Sequence, residues 1–241
     1  MLFTRAPRAV ARAKHLPVEP AAAMLAAFIL GWRETAAAVG AELMFVSPPS
    51  SMGPLGRLLP EATGIAQTGP TFGARIAAAI DAGFAHGAAS VLLVGGDTPP
   101  LPPAVVEAAF DSAEASRDHL VVAPAPDGGV AALGFGRPPD RQLFHLPWCT
   151  PRLRRQLEDA ALHLGLEVVH VAGAPDLDGD THLAGLAMWL RAVRQSGQES
   201  LARVVRDLLA ALRHVPRLAA TVVPAAVRAT ARASRAPPLP A

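Results

Sequence analysis

The feature that most constrains the fold is an alternation of short apolar runs with longer segments of helical spacing. Each apolar run is typical of a strand that is covered on both faces of a sheet. Because parallel strands need long crossover connections, the alternation predicts an α/β fold with a mostly parallel sheet. The predicted strands are 42–46, 91–94, 120–123, 130–135 and 168–171, and the predicted helices are 20–39, 72–86, 103–116 and 151–164, with more helix from residue 182 onward.

Three segments depart from this alternation. Residues 47–71 are rich in glycine and proline, which predicts a long loop. Residues 199–213 have an apolar stripe at helical spacing, so we expect a helix that docks on the main domain or forms a homodimer with a second copy. From residue 224 the chain is low-complexity Ala, Arg and Pro, which predicts disorder. The predicted organisation is a main domain of 1–198, a helical extension of 199–223 and a disordered tail of 224–241.

Composition excludes several classes of protein. Cys149 is the single cysteine, so the chain can form neither an intrachain disulfide nor a cysteine metal cluster, and a cytoplasmic location is expected. The longest apolar stretch, 21–32, is about half of what a membrane-spanning helix needs. The chain has no tyrosine and few aromatic residues, and its net charge is only +2. We therefore expect no membrane span and no nucleic-acid partner.

Carboxylates follow predicted strands at positions where α/β proteins bind ligands. Asp97 comes directly after the strand 91–94, and two further acids, Asp176 and Asp178, follow the last predicted strand. Magnesium and manganese take one or two protein carboxylates and complete their shell with phosphate and water, so two loops of this kind suit a metal–diphosphate site. The alternative is that these acids cap helices or form turns.

Six segments together resemble a known bacterial family. The chain is similar to glycosyltransferases of the arsenosugar-biosynthesis type, which are related to molybdenum-cofactor guanylyltransferases and to the GT-A glycosyltransferases. The resemblance covers roughly residues 2 to 190. In order, the segments are "LFTRAP" (2–7), "TGPTFGARI" (68–76), "GGDTPPL" (95–101), "APAPDGGVAALGF" (123–135), "LFHLPW" (143–148) and "DLD" (176–178).

The resemblance implies a fold, a cofactor and a set of site residues. The fold would be a three-layer α/β/α sandwich of the GT-A, or nucleotide-diphospho-sugar transferase, type. The cofactor would be Mg²⁺ or Mn²⁺, and the substrates would be a nucleotide-sugar donor and a small-molecule acceptor. The metal would be held by Asp97 and Asp178 or Asp176. Phosphates would be met by Arg12, Lys14, Gly73, Arg75, Gly95 and Gly96. The substrate pocket would include Thr98, Gly128, Gly129 and Trp148, with Asp127 as the catalytic residue.

The chain departs from the family pattern in its first loop, in the segment 123–135 and near its last motif. The altered positions are Val10, Ala13, His15, Val130 and His182, whereas Lys14, the single lysine of the chain, falls within that loop. Three functions therefore remain open. The first is a metal-dependent glycosyltransferase, and the second is a nucleotidyltransferase that acts on a nucleoside triphosphate. The third is a diverged, non-catalytic partner protein with the same fold.

Overall fold

One seven-stranded sheet organises the computed structural model, which describes residues 1–174. The strands lie in the order β3-β2-β1-β4-β6-β5-β7, and all are parallel except β6, which runs antiparallel to both of its neighbours. The predicted α/β class with a mostly parallel sheet is confirmed. The strands are β1 Leu2–Phe3, β2 Met44–Ser47, β3 Thr63–Ala66, β4 Val91–Gly95, β5 His119–Pro124, β6 Val130–Phe135 and β7 Glu167–His170.

Helices cover both faces of the sheet. On one face, strand residues such as Leu93 and Val122 pack with Ile80 and Leu157 in a shared apolar core. Alternate strand residues, among them Leu92, point to the other face because successive side chains in a strand alternate. The helices are α1 Pro7–Ala13, α2 Val18–Ala38, α3 Pro49–Leu58, α4 Phe72–Ala85, α5 Pro103–Ala115 and α6 Leu153–His163, with a 3-10 helix at Arg141–Phe144.

The prediction of a long loop over 47–71 is wrong, since this stretch contains α3 and β3. Helix α3 forms despite an interior Pro54. The side chains of Leu55 and Leu59 are at most 1% exposed, and their packing in the core stabilises the helix. Strand β3 is an edge strand with mostly exposed side chains, so it lacks the apolar run that identifies a covered strand. The high glycine and proline content of this stretch led to the loop prediction, although the stretch forms both elements.

Several predictions lie outside the described residues. They are the helix from residue 182, the helix over 199–213 with its proposed dimer contact, the disordered tail of 224–241 and the domain boundaries at residues 198 and 223. The predicted metal ligands Asp176 and Asp178 also lie outside them. Within residues 1–174, no helix combines the length and the apolar character that a membrane crossing requires.

Candidate functional site

The carboxyl ends of the parallel strands meet at one edge of the sheet, and the strand order reverses between β1 and β4. Strands β2 and β3 lie on one side of β1, whereas β4 pairs with β1 on its other side, with Phe3 opposite Gly95. In open α/β sheets, ligands bind outside the carboxyl ends at such a reversal. The loops that leave β1 and β4 therefore flank the expected binding crevice.

The segment after β1 is the short helix α1, which the sequence did not predict. It ends in a Schellman motif, in which the Leu16 N–H donates to the Ala11 carbonyl at 2.9 Å and the His15 N–H donates to the Arg12 carbonyl at 3.1 Å. His15 has a φ of 55°, the left-handed conformation that glycine normally supplies at this position. The motif makes Lys14 the C-cap residue, where the chain turns towards α2.

The segment after β4 is the proline-rich loop 96–102, and helix α2 holds it in place. The indole N–H of Trp32 donates to the Thr98 carbonyl at 3.0 Å, and the Thr35 hydroxyl donates to the Leu101 carbonyl at 3.4 Å. Prolines lack an N–H donor and restrict φ, so a loop of this composition needs few partners for its backbone donors. The result is a fixed position for Asp97, at the start of the loop.

Lys14 and Asp97 meet at this edge of the sheet. The Lys14 ammonium lies 2.6 Å from Asp97 Oδ2, although the two residues are distant in sequence. Their side chains are 18% and 30% exposed, so water screens the pair less than it screens a pair on the open surface. A larger residue at 95 would disturb the pair, because a Cβ on Gly95 would lie 2.8 Å from Asp97 Oδ1 and this side chain would have to shift. The site thus presents a half-buried cation and carboxylate that remain accessible to solvent.

Asp97 can contribute one carboxylate to a divalent metal site at this edge of the sheet. Over residues 1–174, no three His, Cys, Asp or Glu side chains lie close enough together to hold a metal ion. One carboxylate suffices when phosphate oxygens and water complete the shell, as Mg²⁺ usually requires. The oxygen chemistry of Asp97 therefore fits Mg²⁺ or Mn²⁺, with Lys14 as the cation it contacts in this structure.

Two of the glycines that were predicted to meet phosphate have close neighbours within the protein. A Cβ on Gly73 would lie 2.0 Å from the Phe144 carbonyl oxygen and 2.5 Å from Trp148 Nε1. A Cβ on Gly96 would lie 2.1 Å from the Thr4 hydroxyl oxygen. Close packing inside the chain accounts for both glycines, and their contact with phosphate stays a prediction.

The Asp127 turn lies at the same edge of the sheet. Because β5 and β4 both run antiparallel to β6, they share a direction, and the turn that joins β5 to β6 follows the carboxyl end of β5. The carboxylate of Asp127 is exposed and accepts a hydrogen bond of 2.9 Å from the Gly129 N–H. Gly128 has a φ of 90° and packs against the Pro151 carbonyl. The turn geometry accounts for Gly128 and for the hydrogen bond between Asp127 and Gly129, and the contact of these residues with substrate stays a prediction.

The remaining predicted residues have mixed surroundings. Arg12 is exposed on α1, two residues before Lys14. Thr98 is 2% exposed, and so lies beneath the edge rather than on it. The guanidinium of Arg75 lies 5.7 Å over the ring of Phe72, whose ring also contacts Trp148 at a centroid distance of 5.6 Å. Sequence reasoning did not single out Phe72. The available signal was an aromatic residue at the start of a predicted helix, inside a motif that had already been identified.

Comparisons with known proteins give the fold a name. A family model described as "Uncharacterized protein conserved in bacteria (DUF2064)" matches residues 33–150. A crystal structure of a "putative nucleotide-diphospho-sugar transferase" from Desulfovibrio desulfuricans G20 is similar with a TM-score of 0.74 and 22% identity, over 88% of this chain and 95% of that one. The fold is that of a nucleotide-diphospho-sugar transferase.

A second solved structure is more distant. It is that of 4-diphosphocytidyl-2C-methyl-D-erythritol synthase, with a TM-score of 0.52 and 13% identity, over 78% of this chain and 97% of that one. Curated proteins provide no match to the sequence. At these identities the two structures establish the shared fold, whereas activity has to be argued from the side chains at the sheet edge.

Proposed function

We propose that this chain is a transferase that acts on a nucleotide-activated sugar, with the diphosphate bound beside Lys14 and Asp97. One observation carries the proposal. A half-buried ammonium lies 2.6 Å from a carboxylate at the strand-order reversal, in a fold shared with a protein described as a nucleotide-diphospho-sugar transferase. This is where α/β sheets bind phosphorylated ligands, and a fixed cation there attracts a diphosphate.

The chemistry would use the charges at the sheet edge. In glycosyl transfer, the bond between the sugar C1 and a phosphate oxygen breaks, and its electron pair goes to the leaving nucleoside diphosphate. Lys14 would donate hydrogen bonds to that diphosphate and stabilise the charge that develops on it. An acceptor hydroxyl forms the new bond to C1 and loses its proton. The exposed carboxylate of Asp127, at the same edge, would receive that proton if the reaction inverts configuration.

Asp97 would have two partners during the reaction. In this structure its carboxylate contacts the Lys14 ammonium. With nucleotide present, Mg²⁺ or Mn²⁺ would bind to Asp97, with Asp178 or Asp176 as the further ligand. The metal would supply additional positive charge on the phosphates. Lys14 would then move its hydrogen bonds from the carboxylate to a phosphate oxygen, because a compact ammonium on a flexible stem can reorient.

Nucleotidyl transfer is the second candidate, and the similarity to 4-diphosphocytidyl-2C-methyl-D-erythritol synthase favours it. In this reaction the acceptor would attack the α-phosphate of a nucleoside triphosphate, and pyrophosphate would leave. The same pair, Lys14 and Asp97, would serve. The product separates the two reactions, since pyrophosphate indicates nucleotidyl transfer and a nucleoside diphosphate released from a nucleotide sugar indicates glycosyl transfer.

Thermal unfolding with ligands tests the proposal. A nucleotide at 100 times its dissociation constant stabilises the folded state by about 2.7 kcal/mol, which raises Tm by roughly 5–10 °C for a chain of this size. We expect such a shift for at least one of UDP, GDP, ADP, CDP or their sugars with Mn²⁺. Lys14→Met should abolish most of the shift, and Asp97→Asn should abolish the part that depends on Mn²⁺.

The control is a second ion pair of similar length away from the sheet edge. Asp118 accepts a hydrogen bond from Arg137 at 2.7 Å, and both side chains are more exposed than those of the candidate pair. Asp118→Asn should keep the full ligand-induced shift. If no nucleotide raises the Tm of the unmodified protein, with or without Mn²⁺, the transferase proposal is wrong and a non-catalytic role replaces it.

A further inference from the structure

A row of aromatic rings runs from the end of β1 to the loop after the 3-10 helix. The rings of Phe3 and Phe72 have centroids 5.6 Å apart and meet edge to face at 74°. The Phe72 ring is also 5.6 Å from that of Trp148, which stacks on Phe144 at 6.2 Å and 17°. We call Phe3, Phe72 and Trp148 the aromatic surface. In a chain with few aromatic residues, their convergence at one place calls for an explanation.

Phe72 is the exposed member of this surface. It is 37% exposed, and it is one of two large apolar side chains that are exposed among the described residues, the other being Leu162. The position does not require an aromatic residue for the helix, because Thr71 supplies the N-cap by accepting a hydrogen bond from Ala74 N–H at 3.1 Å. Arg75 lies 5.7 Å over the ring and adds a positive charge beside it.

The aromatic surface begins next to the Lys14–Asp97 pair. Phe3 is the last residue of β1 and pairs in register with Gly95, two residues before Asp97. Neighbouring strands are about 4.8 Å apart, so the surface starts about one strand spacing from the end of β4. A ligand whose phosphates contact Lys14 can extend its other end over Phe72. The fitting occupant carries phosphates at one end and a flat ring at the other.

We propose that the aromatic surface binds the nucleobase of the nucleotide by stacking on Phe72, with Arg75 beside the stacked ring. This inference rests on the proposed function, since it assigns the base of the same nucleotide. Stacking of a base on an aromatic side chain contributes about 1–3 kcal/mol and tolerates any base, because every base presents a π face. The guanidinium of Arg75 is planar, so it can stack on the base or pair with a phosphate after the base displaces it from Phe72.

Phe72→Leu tests the inference, because leucine keeps an apolar side chain and removes the π face. Binding of a nucleoside diphosphate and of inorganic pyrophosphate is measured by calorimetry on the full chain. We expect Phe72→Leu to weaken nucleoside diphosphate binding by about 5- to 150-fold and to leave pyrophosphate binding unchanged. Nucleotide addition should also change the tryptophan fluorescence of the unmodified protein, to which Trp148 contributes with two other tryptophans. Phe72→Trp should bind the nucleotide at least as tightly as the unmodified protein.

The matched control is Phe110→Leu. Phe110 is a half-buried phenylalanine that lines a cavity with Met44 and Val91, the first residues of β2 and β4, at the opposite edge of the sheet. The Phe110→Leu variant should bind the nucleoside diphosphate and pyrophosphate as tightly as the unmodified protein does. If Phe72→Leu fails to fold, the affinity of Phe72→Trp decides, since a drop below that of the unmodified protein contradicts stacking.

The outcomes separate this inference from the proposed function. If the unmodified protein binds nucleoside diphosphate and Phe72→Leu binds it equally well, the aromatic surface is not a base site and the proposed function stands. An equal loss of pyrophosphate binding in Phe72→Leu overturns the inference, since the variant then disturbs the phosphate site. Binding of a sugar phosphate is measured in the same way. If Phe72→Leu loses this binding and keeps that of the nucleoside diphosphate, the inference is overturned, because the surface would then hold the sugar. If the unmodified protein binds no nucleotide, the proposed function itself fails.

Discussion

Replacing Gly128 with alanine should destabilise the protein far more than the same change at Gly87. Both glycines have nearly the same left-handed backbone, with φ values of 90° and 92°. Their surroundings differ. An added Cβ would lie 2.0 Å from the Pro151 carbonyl oxygen at Gly128, whereas at Gly87 it would meet no atom of residues 1–174 within 4 Å. The two variants therefore share the backbone strain and differ in the steric clash.

The magnitudes follow from these two terms. Left-handed backbone costs a residue with a Cβ about 1–2 kcal/mol, which is the whole effect expected for Gly87→Ala. Relieving a clash in a packed region costs about 1–3 kcal/mol more, so Gly128→Ala should lose about 2–5 kcal/mol in total. This is a large fraction of the roughly 5–15 kcal/mol that stabilises a typical domain.

Urea unfolding followed by circular dichroism measures the difference between the two variants. We expect Gly128→Ala to have the lower midpoint by an amount that corresponds to about 1–3 kcal/mol. Equal midpoints would refute the argument that the approach of Pro151 requires glycine at this position. Gly128 would then be explained by its left-handed backbone alone, as Gly87 is.

Three further changes test the local arguments. Ser47→Ala should leave the free energy of unfolding unchanged or raise it by about 1 kcal/mol, because the buried Ser47 hydroxyl has no hydrogen-bond partner within residues 1–174. A measurable loss of stability in urea unfolding contradicts this. His15→Val should lower stability by about 1 kcal/mol or more relative to His15→Gly, since valine fits a φ of 55° poorly, and equal midpoints would contradict it. A double-mutant cycle of Lys14→Met and Asp97→Asn should give a coupling energy of about 1 kcal/mol, above that of a fully exposed pair; additive losses would show that the pair contributes nothing.

The sequence predicted five of the seven strands and missed β1 and β3. The prediction for β6 matches at both ends and that for β4 falls short by one residue, because continuous apolar runs have few alternative structures. Strand β3 was missed because it is an edge strand that pairs only with β2. Its mostly exposed side chains need not be apolar, so the sequence shows no apolar run there. Helix α3 was missed because its stability comes from the packing of Leu55 and Leu59, which composition does not reveal.

The sequence predicted individual residues of the candidate site but did not predict which of them contact each other. Asp97 was identified because it follows a covered strand. Lys14, the single lysine, was identified because it falls in the first loop of the resembled family pattern, yet nothing in the sequence pairs the two residues. Their contact depends on the unpredicted helix α1 and on the left-handed His15 that ends it. Glycines were read as spaces for a ligand, whereas Gly73 accommodates the Phe144 carbonyl. Such close approaches depend on tertiary packing, which local patterns do not encode.

The central claim is that Lys14 and Asp97 form the diphosphate site at the strand-order reversal. A crystal structure with a nucleoside diphosphate and Mn²⁺ tests it most directly, since manganese is located by its anomalous scattering. We predict phosphate density at the carboxyl ends of β1 and β4, the Lys14 ammonium within hydrogen-bond distance of a phosphate oxygen, and the metal bound to Asp97. Nucleotide bound elsewhere, with Lys14 still paired to Asp97 as in the structure described here, would contradict the claim.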